Sequence, residues 1–510
     1  MNFKKYFKYS LVLAVFLLPT VSCKDYLDVN NDPTAVLDAP MEQIFTSTTV
    51  SLGFWAGSDM NRYGALIAQQ WSGQTAGAVN QTQDYERYLI TGSDLNNVWS
   101  TMYATILSDL ELVVQKAAKE GSPNYAGAAK VMKAYVFAQI ADTWGAAPFS
   151  EALKFTANTA PKYDDASVIY PGLITMLNEA IVDLNAASLK SPTTNSTIYS
   201  GSWASAKPKW IAAANTLKMR LWLHTTKVDK AKALTEIAAL ATANLLINTG
   251  ASNFEMPFVN ATNAKNPIEQ FEIARSNYLF ANATLVDMMN GKTDPRRARY
   301  FTDFPLRSGL YKGAKSGDAA STAYSRPHIF LRGDTTNTAA VVAAANGSIA
   351  FNAYSYTGTA PIRMLTAAES FFIRAEAAVL SAGNIGGASA DSLFRQGIRM
   401  SMSAAGVSAA ASAAYVDAQG TLTGTEADKV KKIIEEKYVA NFGVINEPWT
   451  DWRRTGYPSQ IVKVPNAAVA SSPDVPRSLF FPQSEFDLNK ANLPNQDQKL
   501  NMLVRVFWDK

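Results

Sequence analysis

The sequence predicts a mainly α-helical fold: helix hairpins stacked side by side, carrying one long irregular segment. Three observations support that prediction. Apolar residues recur at spacings of three and four along much of the chain. The helices so predicted come in pairs joined by short Gly/Pro/Ser segments. No Pro/Ser-rich or charge-run linker separates them within the 510 residues. A single stacked architecture therefore fits better than the two or three domains that length alone suggests.

The N-terminal element is an export signal. Lys4, Lys5 and Lys8 precede an unbroken apolar run from Leu11 to Leu18. As a helix that run spans only ~12 Å, far short of the ~30 Å hydrocarbon core, so it can engage a translocon but cannot stay as a membrane span. Thr20-Val21-Ser22 then place small residues just before Cys23, the only cysteine of the chain, in a pattern similar to a lipobox. A lone thiol makes no internal disulfide, and Cys23 is read as the lipidated first residue of a mature chain 23–510, with 1–22 its signal peptide. Lys24 and Asp25 resemble the tags that send some lipoproteins to the outer leaflet of an outer membrane. The alternative is an ordinary secretory peptide and a stray buried cysteine.

Removing residues 1–22 removes three lysines and no acid, so the formal charge falls from +4 to +1. That balance supplies no field for nucleic acid or for an anionic membrane surface. With 47% hydrophobic and 18% charged residues, the mature chain has the composition of a soluble globular protein. No later apolar run is expected to approach transmembrane length.

Helices are predicted at 41–54, 60–71, 95–119, 125–143, 166–187, 209–226, 229–246, 360–381, 389–404 and 425–441. Within 95–119, Trp99, Met102, Ile106, Leu110 and Val113 form one stripe. "EGSPN" ends it, and small residues at Ala126 to Ala129 in the next helix let a neighbour approach closely. No strict repeat period survives. The scaffold is thus placed mainly at 41–246 and 360–445. Between about 247 and 359 the helical periodicity fades, as in "SNYLFAN" and "TAYSRPHIFLRGD", and segment 69–94 has the same character. Long irregular segments on a rigid scaffold are the usual places for binding.

Catalytic and metal signatures fail one by one. His224 and His328 are the only histidines and have no spaced partner, which argues against a zinc site or a His-based triad; His224 reads as a packed or capping residue. "GKT" at 291–293 lacks the earlier glycine of a phosphate loop, since Val286 stands there. "DVNNDP" places Asp28, Asn30 and Asp32 like the start of a calcium loop, but Pro33 and Ala39 replace its glycine and bidentate acid. No cofactor is expected, and calcium has no motif behind it. Arg332-Gly333-Asp334 is read as a coincidence rather than an adhesion signal. Asn446-Glu447-Pro448 is the strongest enzyme candidate, because such a triplet carries the acid/base of several barrel glycosidases. Here it follows a helix, with no alternation of strands and helices, and a structural turn is the better reading.

"SCKDYLDVNNDP", "GAAKVMKAYVFAQIADTWGAAPFSEAL", "AAESFFIRAEAAV", "EEKYVANFGVINEPWTDWRRTGYP" and "PRSLFFPQSEFDLNKAN" together resemble the SusD/RagB family of nutrient-binding outer-membrane lipoproteins, over essentially the whole mature chain. The resemblance implies a right-handed superhelix of tetratricopeptide-like hairpins with a loop-rich ligand-binding region. It also implies a TonB-dependent, SusC-like outer-membrane transporter as partner, and an outer-membrane location, lipid-anchored and facing the cell surface. In these motifs Glu369, Arg374 and Glu376 are expected to form ion pairs across helices, each worth about 0–1 kcal/mol if exposed. Trp449, Trp452, Arg453 and Arg454 are expected to lock the last helix against the core.

The function expected is capture of oligosaccharide by a binding protein rather than turnover by an enzyme. Sugars present apolar ring faces and hydroxyl edges, so their sites need exposed aromatic platforms beside amides, hydroxyls and Arg. Segment 69–94 offers Trp71, Gln74, Asn80, Gln83 and Tyr85; the middle region adds Tyr278, Tyr324, Arg326, Tyr354 and Tyr356. Trp71 is expected where a helix gives way to loop, as a platform or as a core anchor. Peptide capture fits the same residues, and a surface glycoside hydrolase built on Glu447 is the remaining alternative.

Overall fold

The computed structural model of the chain describes residues 39–73, 80–317, 321, 323–337, 354–467, 472–494 and 502–510. The leader 1–22, Cys23, the Asp28–Asp32 turn and Gln74 lie outside them. Met41–Ala56 (α1) and Asp59–Ile67 (α2) open the scaffold. The predicted helix 95–119 is continuous but not uniform. Asn96–Ser100 (α4) passes through a π-helix, Thr101–Leu107, into Ser108–Lys119 (α5), and its stripe from Trp99 to Val113 is buried.

Pro123–Trp144 (α6) has Pro123 at its start, where a missing N–H costs nothing, and left-handed Gly145 at its end. It packs along Ala166–Asn185 (α7). Gly127 permits this closeness, because a Cβ there would lie 2.8 Å from the Ala180 carbonyl. By length and apolar composition α7 could cross a membrane, which corrects the expectation that no such run exists. Here, however, it packs between α6 and Trp203–His224 (α8), and its Glu179 and Asp183 pair with Lys130. Helix α8 starts six residues before its predicted start, with Pro208 inside rather than opening it. Lys230–Ala243 (α9) returns along α8.

The second half of the scaffold is Ala367–Leu380 (α14), Ala390–Ala404 (α15), Ala409–Gln419 (α16), Glu426–Ala440 (α17) and Glu447–Thr455 (α18). The segment predicted as helix from 360 divides. Ile362–Leu365 forms strand β6, paired antiparallel with Phe254–Met256 (β4), and Thr366 then caps α14 by accepting the Glu369 N–H at 3.2 Å. Met219, Leu223, Phe372, Ile373, Phe394 and Ile433 are among the buried side chains that join these helices in one core. A further short helix, Gln483–Leu488 (α19), follows α18.

Between 247 and 359 the helices are short: Pro267–Ala274 (α10), Ala283–Gly291 (α11), Arg297–Tyr300 (α12) and Ile329–Arg332 (α13). One link ties this region to segment 69–94. Helix α2 stops at Ile67, the chain turns at Gln69 (φ +53°), and Trp71–Ser72 (β1) pairs antiparallel with Phe280–Ala281 (β5). Trp71 therefore stands on a strand and not at a helix end. Gln81–Glu86 (α3) follows it.

Candidate functional site

Two polar regions could carry function, and they differ in access. The first surrounds Glu447, at the start of α18 and 2% exposed. Lys437 from α17 donates to Glu447 Oε1 at 2.8 Å and lies 2.9 Å from Asp451 Oδ2. Arg220 from α8 binds Glu369 through Nε (2.6 Å) and Nη2 (2.5 Å), with Glu447 Oε2 3.4 Å away. Arg454 binds Glu376 (Nη2–Oε2, 2.8 Å) and Asp451 at 3.0 Å. His224 lies 3.4 Å from Glu447 and 2.9 Å from the Tyr170 hydroxyl, which donates to Asp142.

Burial pushes the Glu447 carboxyl up, but Lys437, Arg220 and His224 outweigh it and hold it well below the usual range. Burial likewise opposes the His224 imidazolium, yet Glu447 and Asp142 raise its pKa to about 9. A carboxylate this paired and this buried has neither a proton to give at neutral pH nor a path to substrate. The expected ion pairs of Glu369 and Glu376 are real but buried, which raises the cost of breaking them well above the surface figure. Arg374 differs from both: it bonds Ser370 and Asn248 and has no printed acidic partner. Trp449 is buried, donates to the Pro476 carbonyl at 2.8 Å and carries the Arg453 guanidinium 3.9 Å over its ring.

The second region is a face built by α3, β5 and the short elements from 300 to 358. Its foundation is buried. Arg326, 3% exposed, binds Glu272 and donates to Asn277 Oδ1 at 2.7 Å, while Arg332 binds Glu269 at 2.6 Å. Arg332 also lies 4.0 Å over the Tyr356 ring, so the Arg-Gly-Asp triplet presents no free arginine. On this foundation stand the half-buried rings of Tyr278, Tyr324 and Tyr354. Thr82 of α3 donates to the Tyr278 carbonyl at 2.7 Å. Tyr324 meets Phe280 of β5 edge-on at 6.5 Å, with Lys312 Nζ 5.0 Å from its ring. Tyr354 lies 5.0 Å from His328, whose Nδ1 bonds the Tyr356 hydroxyl at 2.6 Å. Burial, with Arg332 and Arg299 nearby, lowers the His328 pKa to about 4, so its ring is neutral at physiological pH.

The structure therefore divides the predicted site residues. Tyr278, Tyr324 and Tyr354 share the face. Trp71 is fully buried and meets Phe442 edge-on, so it anchors the core behind β1 and offers no surface for stacking. Asn80 is a buried helix cap whose Oδ1 accepts the Gln83 N–H at 3.0 Å. Tyr85 packs 4.8 Å from Tyr63 and donates to Asp94. Arg326 and Tyr356 support the face from below. Sequence reasoning missed Asn277 and Lys312; only their places beside Tyr278 and within the irregular region could have pointed to them. A groove of about 530 Å³ adjoins the end of β5, lined by Gln69, Asn282, Thr284, Asp287, Lys315 and Gln460 among others. Among the described residues no group of three or more His, Cys, Asp or Glu side chains could hold a metal.

Residues 31–482 match the model of a SusD-like family described as starch-binding and associating with the outer membrane. The chain belongs to the SusD-like family. Solved structures agree on the fold. A chitin-binding protein superposes with a TM-score of 0.73 at 22% identity, covering 92% of this chain and 99% of its own. A SusD homologue from Bacteroides uniformis gives 0.71 at 23%, covering 93% and 100%. A chitin-binding SusD homologue from Flavobacterium johnsoniae gives 0.72 at 20%, covering 92% and 98%. These identities speak for the tetratricopeptide-like helical scaffold alone. A search of curated proteins finds no match.

Proposed function

We propose that this SusD-like protein is a cell-surface lipoprotein, anchored in the outer membrane through Cys23, that captures oligosaccharide on the tyrosine face. It then passes the sugar to a TonB-dependent outer-membrane transporter. The observation that carries the reading is the trio Tyr278, Tyr324 and Tyr354, half-open on a buried Arg–Glu foundation and bordered by Asn277 and Lys312. Aromatic faces suit the apolar side of a sugar ring, and the amide and ammonium suit its hydroxyls. The family's description as starch-binding and outer-membrane-associated supports the same reading. The sealed position of Glu447 supports binding over turnover.

Calorimetric titration of the soluble chain 24–510 with a panel of neutral oligosaccharides tests the ligand. Saturable binding that weakens in a Tyr324→Ala/Tyr354→Ala double variant is expected; binding of none, or release of new reducing ends, would overturn the reading. Cys23→Ala should abolish fatty-acid labelling and leave the protein soluble, since acyl chains supply the membrane affinity. Equal labelling of both forms would end the lipoprotein assignment. Co-purification in mild detergent should recover a transporter-sized barrel with the wild-type protein.

A further inference from the structure

A cavity of about 210 Å³ lies where β4, β6 and the start of α14 meet the end of α15, beside the Phe330 ring. Arg363, on β6, lines it and is only 9% exposed. Its guanidinium sits 3.9 Å over Phe330, and Nη1 donates to the Phe330 carbonyl at 3.2 Å. Nε has no hydrogen-bond partner among the described residues. The only carboxylate facing it, Glu255 across the β4–β6 pair, stays 3.9 Å away and already accepts from Asn253 at 3.1 Å. Arg220, Arg296, Arg326, Arg332 and Arg454 are buried too, but each donates directly to a carboxylate. A buried cation without a hydrogen-bonded counter-charge is costly.

The other wall of the cavity favours negative charge as well. Thr366, Ala367 and Ala368, the cap and first turn of the 14-residue helix α14, line it, and helix N-termini present partial positive charge and N–H donors. The cap satisfies two of these donors: Ala367 N–H by Asn253 Oδ1 at 2.9 Å, and Glu369 N–H by Thr366. Ser403 adds a hydroxyl. Burial lowers the Arg363 pKa, opposed in part by Glu255, as expected for a cation whose counter-charge is too distant.

We propose that this cavity is an oxyanion site in which Arg363 and the first turn of α14 hold a carboxylate or sulfate group. The planar guanidinium fork matches either group with paired hydrogen bonds. The cavity exceeds by far the ~10–15 Å³ that one water needs, so it has room for a bare anion or for the acidic substituent of a sugar. The proposal stands apart from the tyrosine face and does not rest on the glycan reading.

Methionine-methyl NMR tests it, because Met400 lines the cavity and its resonance can be assigned with Met400→Leu. Sodium sulfate, sodium acetate and D-glucuronate are titrated at constant ionic strength, with chloride and D-glucose as controls. The oxyanions should shift the Met400 signal saturably and the controls should not. Glu255→Gln, which removes the competing charge, should tighten binding several-fold, and Arg363→Leu should weaken it at least tenfold. Tighter binding of glucuronate than acetate would identify an acidic sugar, and equal binding a free anion; either supports the site. No saturable shift, an equal response to chloride, or identical affinities in wild type and Glu255→Gln would overturn it, even if Arg363→Leu fails to fold. Binding of neutral oligosaccharide to the same samples should be unchanged in Glu255→Gln, so failure here stays distinct from failure of the glycan reading.

Discussion

The lattice around Glu447 and the tyrosine face are built from similar residue types, yet only one of them can meet a ligand. In the lattice, Arg220, His224, Lys437 and Arg454 interleave with Asp142, Glu369, Glu376, Glu447 and Asp451, and all nine are buried. On the face, Arg326 and Arg332 are paired in the same way with Glu272 and Glu269, but they carry tyrosines that remain half-open. Charge and aromatic content therefore do not mark a site. What marks it is where the pairing stops and unpartnered ring surface begins.

The largest effect should come from breaking the lattice. Glu447→Ala leaves Lys437, Arg220 and His224 facing each other without their shared anion, and loss of one partner of a buried pair costs about 3–5 kcal/mol. Urea unfolding should show that loss, while the fraction still folded keeps its glycan affinity. Normal stability in this variant would break the contrast drawn above.

The next effect sharpens it through pH. The His224 pKa is raised from 6.5 to about 9 in the folded protein, against the effect of burial, by Glu447 and Asp142. The protonated form is thus favoured by folding. Its stabilisation is fully present below pH 6.5, fades as pH rises from there, and is gone above about 9. Each tenfold gain in proton affinity is worth ~1.4 kcal/mol. Unfolding free energies at pH 6, 7.5 and 9 should fall in the wild type, and fall less in His224→Gln. Equal slopes would remove His224 from the account.

Trp71→Ala comes third. Emptying a buried indole site costs about 3–5 kcal/mol, but Trp71 Nε1 has no hydrogen-bond partner among the described residues. Losing an unsatisfied donor returns about 1–3 kcal/mol, so a net cost of about 2–3 kcal/mol is expected. Affinity measured well below the melting transition should be unchanged. The reverse pattern, stable protein with weakened binding, would return Trp71 to the site.

The scaffold was legible because its signals are local and repeated. The stripe from Trp99 to Val113 and the small residues around Gly127 state their packing in the sequence itself. The motifs around Glu369 and Glu447 were legible as structural, although their partners, on α8 and α17, were not. The face was legible only in part. Tyr278 and Tyr324 lie on opposite sides of a pairing between β1 and β5 whose strands are two residues long, too short to leave a period. Trp71 and Tyr85 look like platforms because an aromatic in an irregular stretch reads the same whether it faces solvent or core. Burial of an aromatic beside a loop is decided by long-range neighbours such as Phe442 and Tyr63, which a window of sequence does not contain.

The smallest effect on stability is also the test of the face. Tyr324 and Tyr354 are half-buried, each packed on one side, against Phe280 and His328 respectively. Removing either ring gives up little core, so unfolding free energy should fall by no more than about 1 kcal/mol, within the usual range for substitutions outside the core. A sugar ring stacked on the open side would lose more in relative terms. Aromatic contacts are worth about 0.5–1.5 kcal/mol beyond burial, and 1.4 kcal/mol is tenfold in affinity. Tyr324→Ala and Tyr354→Ala should each weaken the best oligosaccharide about three- to tenfold. If both rings contact one ligand, the double variant should lose about the product of the two factors, because the rings lean on different neighbours and have no printed contact with each other. Titration calorimetry on the two single variants and the double completes that cycle. Loss confined to one variant would shrink the site to that ring, and unchanged affinity in all three would move glycan binding off this face.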